Sequence, residues 1–147
     1  MSLRLTIILG GLITLGCGQP PLEQSFFNKP AAGRVERLRQ YSLEDQYKIF
    51  RYGNDRIEPP AMELADPIAE RGSSAVPFLR ARLDSAVDDQ AIRDIVLIFQ
   101  TMARSRTYEV RSDASLMAEL TSKVAQVKNK EWQEICMTML QRIKHKE

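Results

Sequence analysis

Histidine is almost missing from this chain: the only one among 147 residues is His145, two positions from the end. A general base must be held within reach of its proton, and a chain terminus is a poor place to hold one. No Ser-His-Asp set and no Cys–His nucleophile pair can be assembled around it. Metal sites draw several His, Cys or carboxylate ligands into close spacing. The nearest approach is Asp84, Asp88 and Asp89, which read better as helix-capping carboxylates. No Gly-rich loop of the phosphate-cradling kind occurs. Glu63, Asp66 and Glu70 pair only at the spacing of a helix surface. These gaps predict a protein that is not an enzyme and that holds no metal and no cofactor.

An excess of charge of either sign is also lacking. The formal net charge is +2, with 21 basic and 19 acidic side chains. Nucleic-acid binding leaves a basic stripe as its footprint, so no nucleic acid is expected as a partner. Long apolar runs are missing too. The longest, Leu5 to Leu15, falls well short of the roughly 20 residues that span a bilayer as a helix. Apolar residues nonetheless make up 44% and charged residues 27%, which fits one small folded domain rather than a disordered chain.

What the first residues do contain is an export signal: Arg4, the apolar run, then small residues before Cys17. The segment Ile13-Thr14-Leu15-Gly16-Cys17 resembles the lipobox of bacterial lipoproteins, with Thr14 where leucine is commonest. The resemblance implies cleavage before Cys17 and acylation of its thiol and new amino group. A plain secretory signal that happens to hold a cysteine is the alternative. Two or more acyl chains anchor stably where one does not. Arg4 is the only charged residue before Cys17, so cleavage leaves 20 basic against 19 acidic side chains, a formal +1. Gly18, rather than Asp, resembles the pattern that sorts such proteins to the outer membrane. The implied location is the bacterial envelope, lipid-anchored and facing the periplasm, outer membrane over inner. An acylated Cys17 leaves Cys136 without an intrachain partner, so no disulfide belongs to this fold.

Gln19 to Pro30 contains three prolines and no helical period, and is expected to be an extended spacer. Phe26-Phe27 within it either packs on the domain edge or docks a partner or membrane. Gly33 to Arg39 suggests a short helix. Ser42-Leu43-Glu44-Asp45 has the form of a helix start, with Leu43, Tyr47 and Phe50 on one face and Gly53 as its end. Asn54 to Pro60 then reads as a loop carrying Asp55, Arg56 and Glu58.

Ala61 to Arg71 is the next expected helix, broken or kinked by Pro67. Gly72 is a stop signal and Ser73-Ser74 a start signal for Ala75 to Ala86, with Pro77 in its first turn. Asp89 to Arg104 is the longest expected helix, with Ile92, Ile95, Val96, Phe99 and Met102 as its buried stripe. The helix end Ala69-Glu70-Arg71-Gly72, the start Ala75-Val76-Pro77-Phe78-Leu79, and Asp88-Asp89 followed by Ala91-Ile92-Arg93-Asp94 resemble the HEAT-like family of helical repeats. The resemblance implies helix pairs stacked as a solenoid, with Arg93 bonded to a nearby carboxylate such as Asp84 or Asp88.

Thr107 to Asp113 interrupts the pattern, and Asp113 can cap a helix reaching Val127. A last helix, Glu131 to about Lys144, carries Trp132, Ile135, Cys136, Met139, Leu140 and Ile143. Trp132 is expected as a core anchor or cap, Cys136 as a small buried hydrophobe.

The expected fold is therefore all-α: a small helical-hairpin array, a HEAT-like α-solenoid of about five to seven helices. The expected organisation is a signal peptide over 1–16, a lipidated cysteine and Pro-rich tether over 17–32, and an α-helical HEAT-like domain over 33–147. The function expected of it is protein binding or scaffolding at an envelope membrane. Its partners would be the membrane, through the N-terminal lipid, and an envelope protein. A lipid-anchored immunity or inhibitor protein, and a carrier of an apolar ligand between helices, are the alternatives. Exposed Tyr and Arg are over-represented at protein contacts. The candidate binding residues are accordingly Tyr47, Arg51, Asp55, Arg56, Arg104, Arg106 and Tyr108.

Overall fold

Each of the four long helices starts on a short polar side chain that accepts a hydrogen bond from a backbone N–H three residues on, as a helix N-terminus requires. In the computed structural model, which describes residues 20–145, Ser42 accepts from Asp45 at 3.2 Å, Asp88 from Ala91 at 2.6 Å, Asp113 from Leu116 at 3.0 Å and Asn129 from Trp132 at 3.0 Å. They open α3 (Leu43–Arg56), α6 (Asp89–Ser105), α7 (Ala114–Ala125) and α8 (Lys130–His145). Four shorter helices accompany them: α1 (Leu22–Phe27), α2 (Arg34–Leu38), α4 (Ala65–Ala69) and α5 (Val76–Asp84). Three 3₁₀ turns, Met62–Leu64, Gly72–Ala75 and Val110–Ser112, join them, and no strand occurs among the described residues. The protein is all-helical.

The eighth helix, beyond the seven expected, lies in the stretch read as an extended spacer. There α1 folds back on α3. Phe26 is fully buried and meets Tyr41 edge-on at 5.8 Å, while Phe27 stacks on Tyr52 at 5.7 Å. Two adjacent rings bury enough apolar area to order one and a half turns of chain. Six residues show no detectable period, which is why the prolines dominated the expectation. Phe26-Phe27 packs on the domain edge.

Gly53 plays a different part from the one expected. It does not end α3, which continues to Arg56. A Cβ there would sit 2.6 Å from Phe27 Cζ and 3.0 Å from Ala61 Cβ, so the missing side chain is what lets α1 approach. Asn54, Asp55 and Arg56 are consequently helical rather than in a loop. Gly72 does act as a stop: its φ is +56°, and a Cβ would meet the Thr107 carbonyl oxygen at 2.6 Å. Ser73 and Ser74 do not cap α5. The 3₁₀ turn leads straight into it, and the Ser74 hydroxyl donates backward to the Arg71 carbonyl at 2.8 Å. Pro67 lies in the first turn of α4, immediately after the 3₁₀ turn Met62–Leu64, so the expected helix over 61–71 is two short pieces.

Helix α6 is the centre of the packing and touches α3, α4, α5, α7 and α8. Ile92, Ile95, Val96, Phe99 and Met102 are buried as their spacing predicts, and Ala91, Ile98 and Thr101 are buried with them. A helix with neighbours on several sides hides more than one stripe. Arg93 near its start lies over the Trp132 ring of α8, and its end meets the end of α8 at Arg142 and Ile143, so α6 and α8 pack directly and run parallel, with α7 as the returning connection. Cys136, Met139, Leu140 and Ile143 face the core from α8, whereas Ile135 and Met137 are half exposed. No helix among the described residues is long and apolar enough to cross a membrane. Cys17 and the leader lie outside the described residues.

Candidate functional site

The seven candidate residues fall at two separate places. Tyr47 is not a surface residue: it is 8% exposed and meets Phe78 edge-on at 5.6 Å, with the Arg82 guanidinium over its ring at 5.9 Å. Its position on the apolar face of α3, beside Phe50, puts it in the core. Asp55 and Arg56 are exposed in the last turn of α3 and pair with each other at 2.6 Å.

Arg51, from the same helix, reaches inward to a buried carboxylate. Asp94 is fully buried. Its Oδ1 accepts from Asn54 Nδ2 at 3.1 Å and from Arg93 Nη2 at 2.8 Å and Nε at 3.2 Å. Arg51 Nε lies 3.6 Å from Oδ2, and its Nη2 donates to Asp88 at 3.4 Å. Burial pushes the Asp94 carboxyl above its ordinary range against the pull of Arg93 and Arg51. Arg93 therefore bonds its sequence neighbour rather than Asp84 or Asp88, because its guanidinium is drawn over Trp132 at 4.8 Å and its flank reaches Asp94. This cluster ties α3 to the start of α6 and is internally neutralised.

The neighbouring acidic residues are also occupied by the backbone. Asp88 caps α6, and Asp89 accepts from the Lys128 and Asn129 N–H groups at 2.8 to 3.1 Å, which hold its carboxyl below the usual range. Among the described residues no three His, Cys, Asp or Glu side chains converge as a metal site. Cys136 is a buried free thiol, pushed up to about 11 by its burial. A thiol in that state is a weak nucleophile at neutral pH.

The other three candidates do converge. Arg104, Arg106 and Tyr108 line one cleft of about 110 Å³ where the ends of α6 and α8 meet. Gln100 and Ala103 of α6, Glu109, Val110 and Arg111 of the following turn, and Arg142 and Ile143 of α8 complete it. Four arginines and one glutamate thus line it. Two of the four have loose partners: Arg104 lies 3.7 Å from Asp66 and Arg111 lies 3.7 Å from Glu109. Arg106 and Arg142 pair with no carboxylate among the described residues.

Local structure explains how the cleft is held. Arg106 ends α6 in the left-handed conformation, φ +57°, with the Thr107 N–H bonded to the Met102 carbonyl at 3.1 Å. This is a helix-terminating arrangement in which glycine is the usual residue, and a side chain there costs about 1 kcal/mol. The next residue clamps the turn: Thr107 Oγ1 donates to the Ala69 carbonyl at 2.7 Å, and its own carbonyl packs on Gly72. Tyr108 is fixed by donating to Asp113 Oδ2 at 2.7 Å. That bond raises the phenol above its ordinary range and, with the Leu116 N–H, lowers the Asp113 carboxyl.

The dipoles of α6 and α8 favour cations in their last turns, which accounts for tolerating Arg104 and Arg142 there. Among the described residues, Arg106 and Arg142 are left without a carboxylate. Planar guanidiniums present paired donors that match oxyanions, so what the cleft can do chemically is bind a carboxylate or related anion. Arg111 and Arg142 are the members that sequence reasoning missed. Arg111 is brought in by the turn Val110–Ser112 that follows α6, and Arg142 only by the packing of α8 beside α6.

No protein-family model matches this sequence, no characterised protein shows significant similarity to it, and no solved structure matches its fold.

Proposed function

We propose that this protein is a lipid-anchored component of the bacterial envelope whose helical domain binds another protein at the periplasmic face of a membrane. One observation supports binding above all: a cleft lined by four arginines, two of which have no partner among the described residues. Charges that stabilise a fold are usually paired within it, whereas Arg with Tyr lining an open cleft is the composition of a contact site. The leader and the lipobox-like Gly16-Cys17 support acylation at Cys17, and Gly18 supports the outer membrane over the inner. The parallel course of α6 and α8, joined by a returning α7, supports a HEAT-like stack over this half of the chain. The absence of a second histidine supports a binding protein rather than an enzyme.

The test is crosslinking and affinity capture of the acylated protein from envelopes beside a Cys17→Ser form, with bound proteins identified by mass spectrometry. An envelope protein recovered with the acylated form and lost with Cys17→Ser is the expected result. A single partner held tightly without the lipid would point instead to an inhibitor. Recovery of no protein in either sample would overturn the proposal.

A further inference from the structure

Two features of the arginine cleft bear on what it receives. The first is that its cations come from three separate pieces of chain, with apolar Ala103, Val110 and Ile143 between them. The second is that Arg106 keeps a long charged side chain at a backbone conformation that favours glycine. A fold that needed only to end α6 would be served better by glycine there. What glycine would remove is the guanidinium.

We infer that the cleft receives an acidic segment of the protein partner, with its carboxylates on Arg106 and Arg142; this rests on the protein-binding function proposed above. Each of these guanidiniums offers a fork of N–H donors that a carboxylate matches with two parallel bonds. The apolar lining suits the methylenes of an Asp or Glu side chain. The two carboxylates already present, Asp66 and Glu109, stand 3.7 Å from Arg104 and Arg111, beyond hydrogen-bond distance, so they neutralise the rim without filling it.

A compact phosphate dianion fits less well. Anion sites for phosphate combine cations with backbone N–H groups at a helix N-terminus. Here two helix C-termini converge, and their carbonyl ends oppose a concentrated double charge more than they oppose dispersed single ones. Tyr108 cannot turn its hydroxyl into the cleft as a free donor, because Asp113 holds it.

The experiment uses the full-length acylated protein in a neutral detergent. It is titrated calorimetrically with a blocked hexaglutamate peptide, a hexaglutamine peptide of the same length, and inorganic phosphate. The hexaglutamate peptide should bind saturably, more weakly as salt is raised, and at least about ten-fold more weakly to Arg106→Gly and to Arg142→Ala. Lys48→Ala, which removes an exposed cation from α3, should bind as the parent does. Arg106→Gly relieves the backbone, so its melting temperature should not fall, which separates lost binding from lost folding. Equal binding of the two peptides, unaltered affinity in both arginine variants, or tighter binding of phosphate than of hexaglutamate would each overturn the inference. An envelope partner captured equally by parent, Arg106→Gly and Arg142→Ala would also overturn it while leaving the binding function intact. Hexaglutamate binding lost in the variants, with no envelope protein ever captured, would sustain the site and sink the wider function.

Discussion

The two ends of α6 carry clusters of similar composition that do opposite things. At its start, Arg51 and Arg93 converge on buried Asp94, with Asn54 and Asp88 completing the set, and every cation has a carboxylate. At its end, Arg104, Arg106, Arg111 and Arg142 outnumber the carboxylates in reach among the described residues, and the cluster opens to solvent. Ten residues of helix, about 15 Å, separate Asp94 from Arg104. The difference teaches that charge content alone does not mark a site. A cluster that is neutralised from within locks helices together; one left in surplus has affinity to offer.

Asp94→Ala should produce the largest effect. It strands Arg51 and Arg93 half-buried without their shared partner, and breaking a buried pair from one side costs about 3 kcal/mol or more. Urea unfolding measures it. A loss under about 1 kcal/mol would mean that the two ends of α6 do not differ as described.

Gly72→Ala should follow at about 2 kcal/mol, from the left-handed φ and the collision with the Thr107 carbonyl. Because Thr107 neighbours Arg106, the same variant should also weaken binding at the cleft. An intact melting temperature would show that the turn yields easily and is not clamped.

Asp113→Ala removes the α7 cap and should cost about 1 kcal/mol at neutral pH. The Leu116 N–H and the Tyr108 hydroxyl depress the folded value below the ordinary 3.8. Its stabilisation is therefore full above 3.8 and is lost as pH falls through the lower folded value. The gap between parent and variant should close in strong acid. Asp94 carries the opposite sign: its folded value is raised, so its protonation-linked contribution is full below 3.8 and declines as pH rises through the folded value. Parallel pH series on Asp113→Ala and Asp94→Asn should bend in opposite directions, and matching curves would remove the distinction.

Arg106→Gly should give the smallest change and the only gain, about 0.5 to 1 kcal/mol, by freeing the left-handed position of its side-chain penalty. Differential scanning calorimetry resolves it. A fall in melting temperature would show that Arg106 stabilises the fold and would weaken its standing as a residue kept for a partner.

The helix starts were legible because capping acts within three residues: Ser42, Asp88 and Asp113 cap as their neighbours suggest, whereas Asp89, read as a cap, accepts instead from Lys128 and Asn129 some forty residues on. Cys136 was legible as a buried hydrophobe from its helical spacing with Met139, Leu140 and Ile143. Gly53 was misread because a stop signal and a close-approach site share one residue type, and only the arrival of Phe27 tells them apart. Tyr47 was misread as exposed because an amphipathic ring suits either side of a helix, and Phe78, thirty-one residues later, decides. Of the cleft, Arg104, Arg106 and Tyr108 were visible as a local cluster, while Arg111 and Arg142 were not.

The helical class, the positions of the long helices and the chemistry available to the chain follow from interactions between residues a few places apart, and the amino-acid order specifies those by itself. Which charges are cancelled and which are left over depends on distances between helices, through Arg51 with Asp94 in one place and Arg142 beside Arg106 in the other. Coulomb attraction and desolvation act across space rather than along the chain, so only the packing of α3, α6 and α8 could decide them.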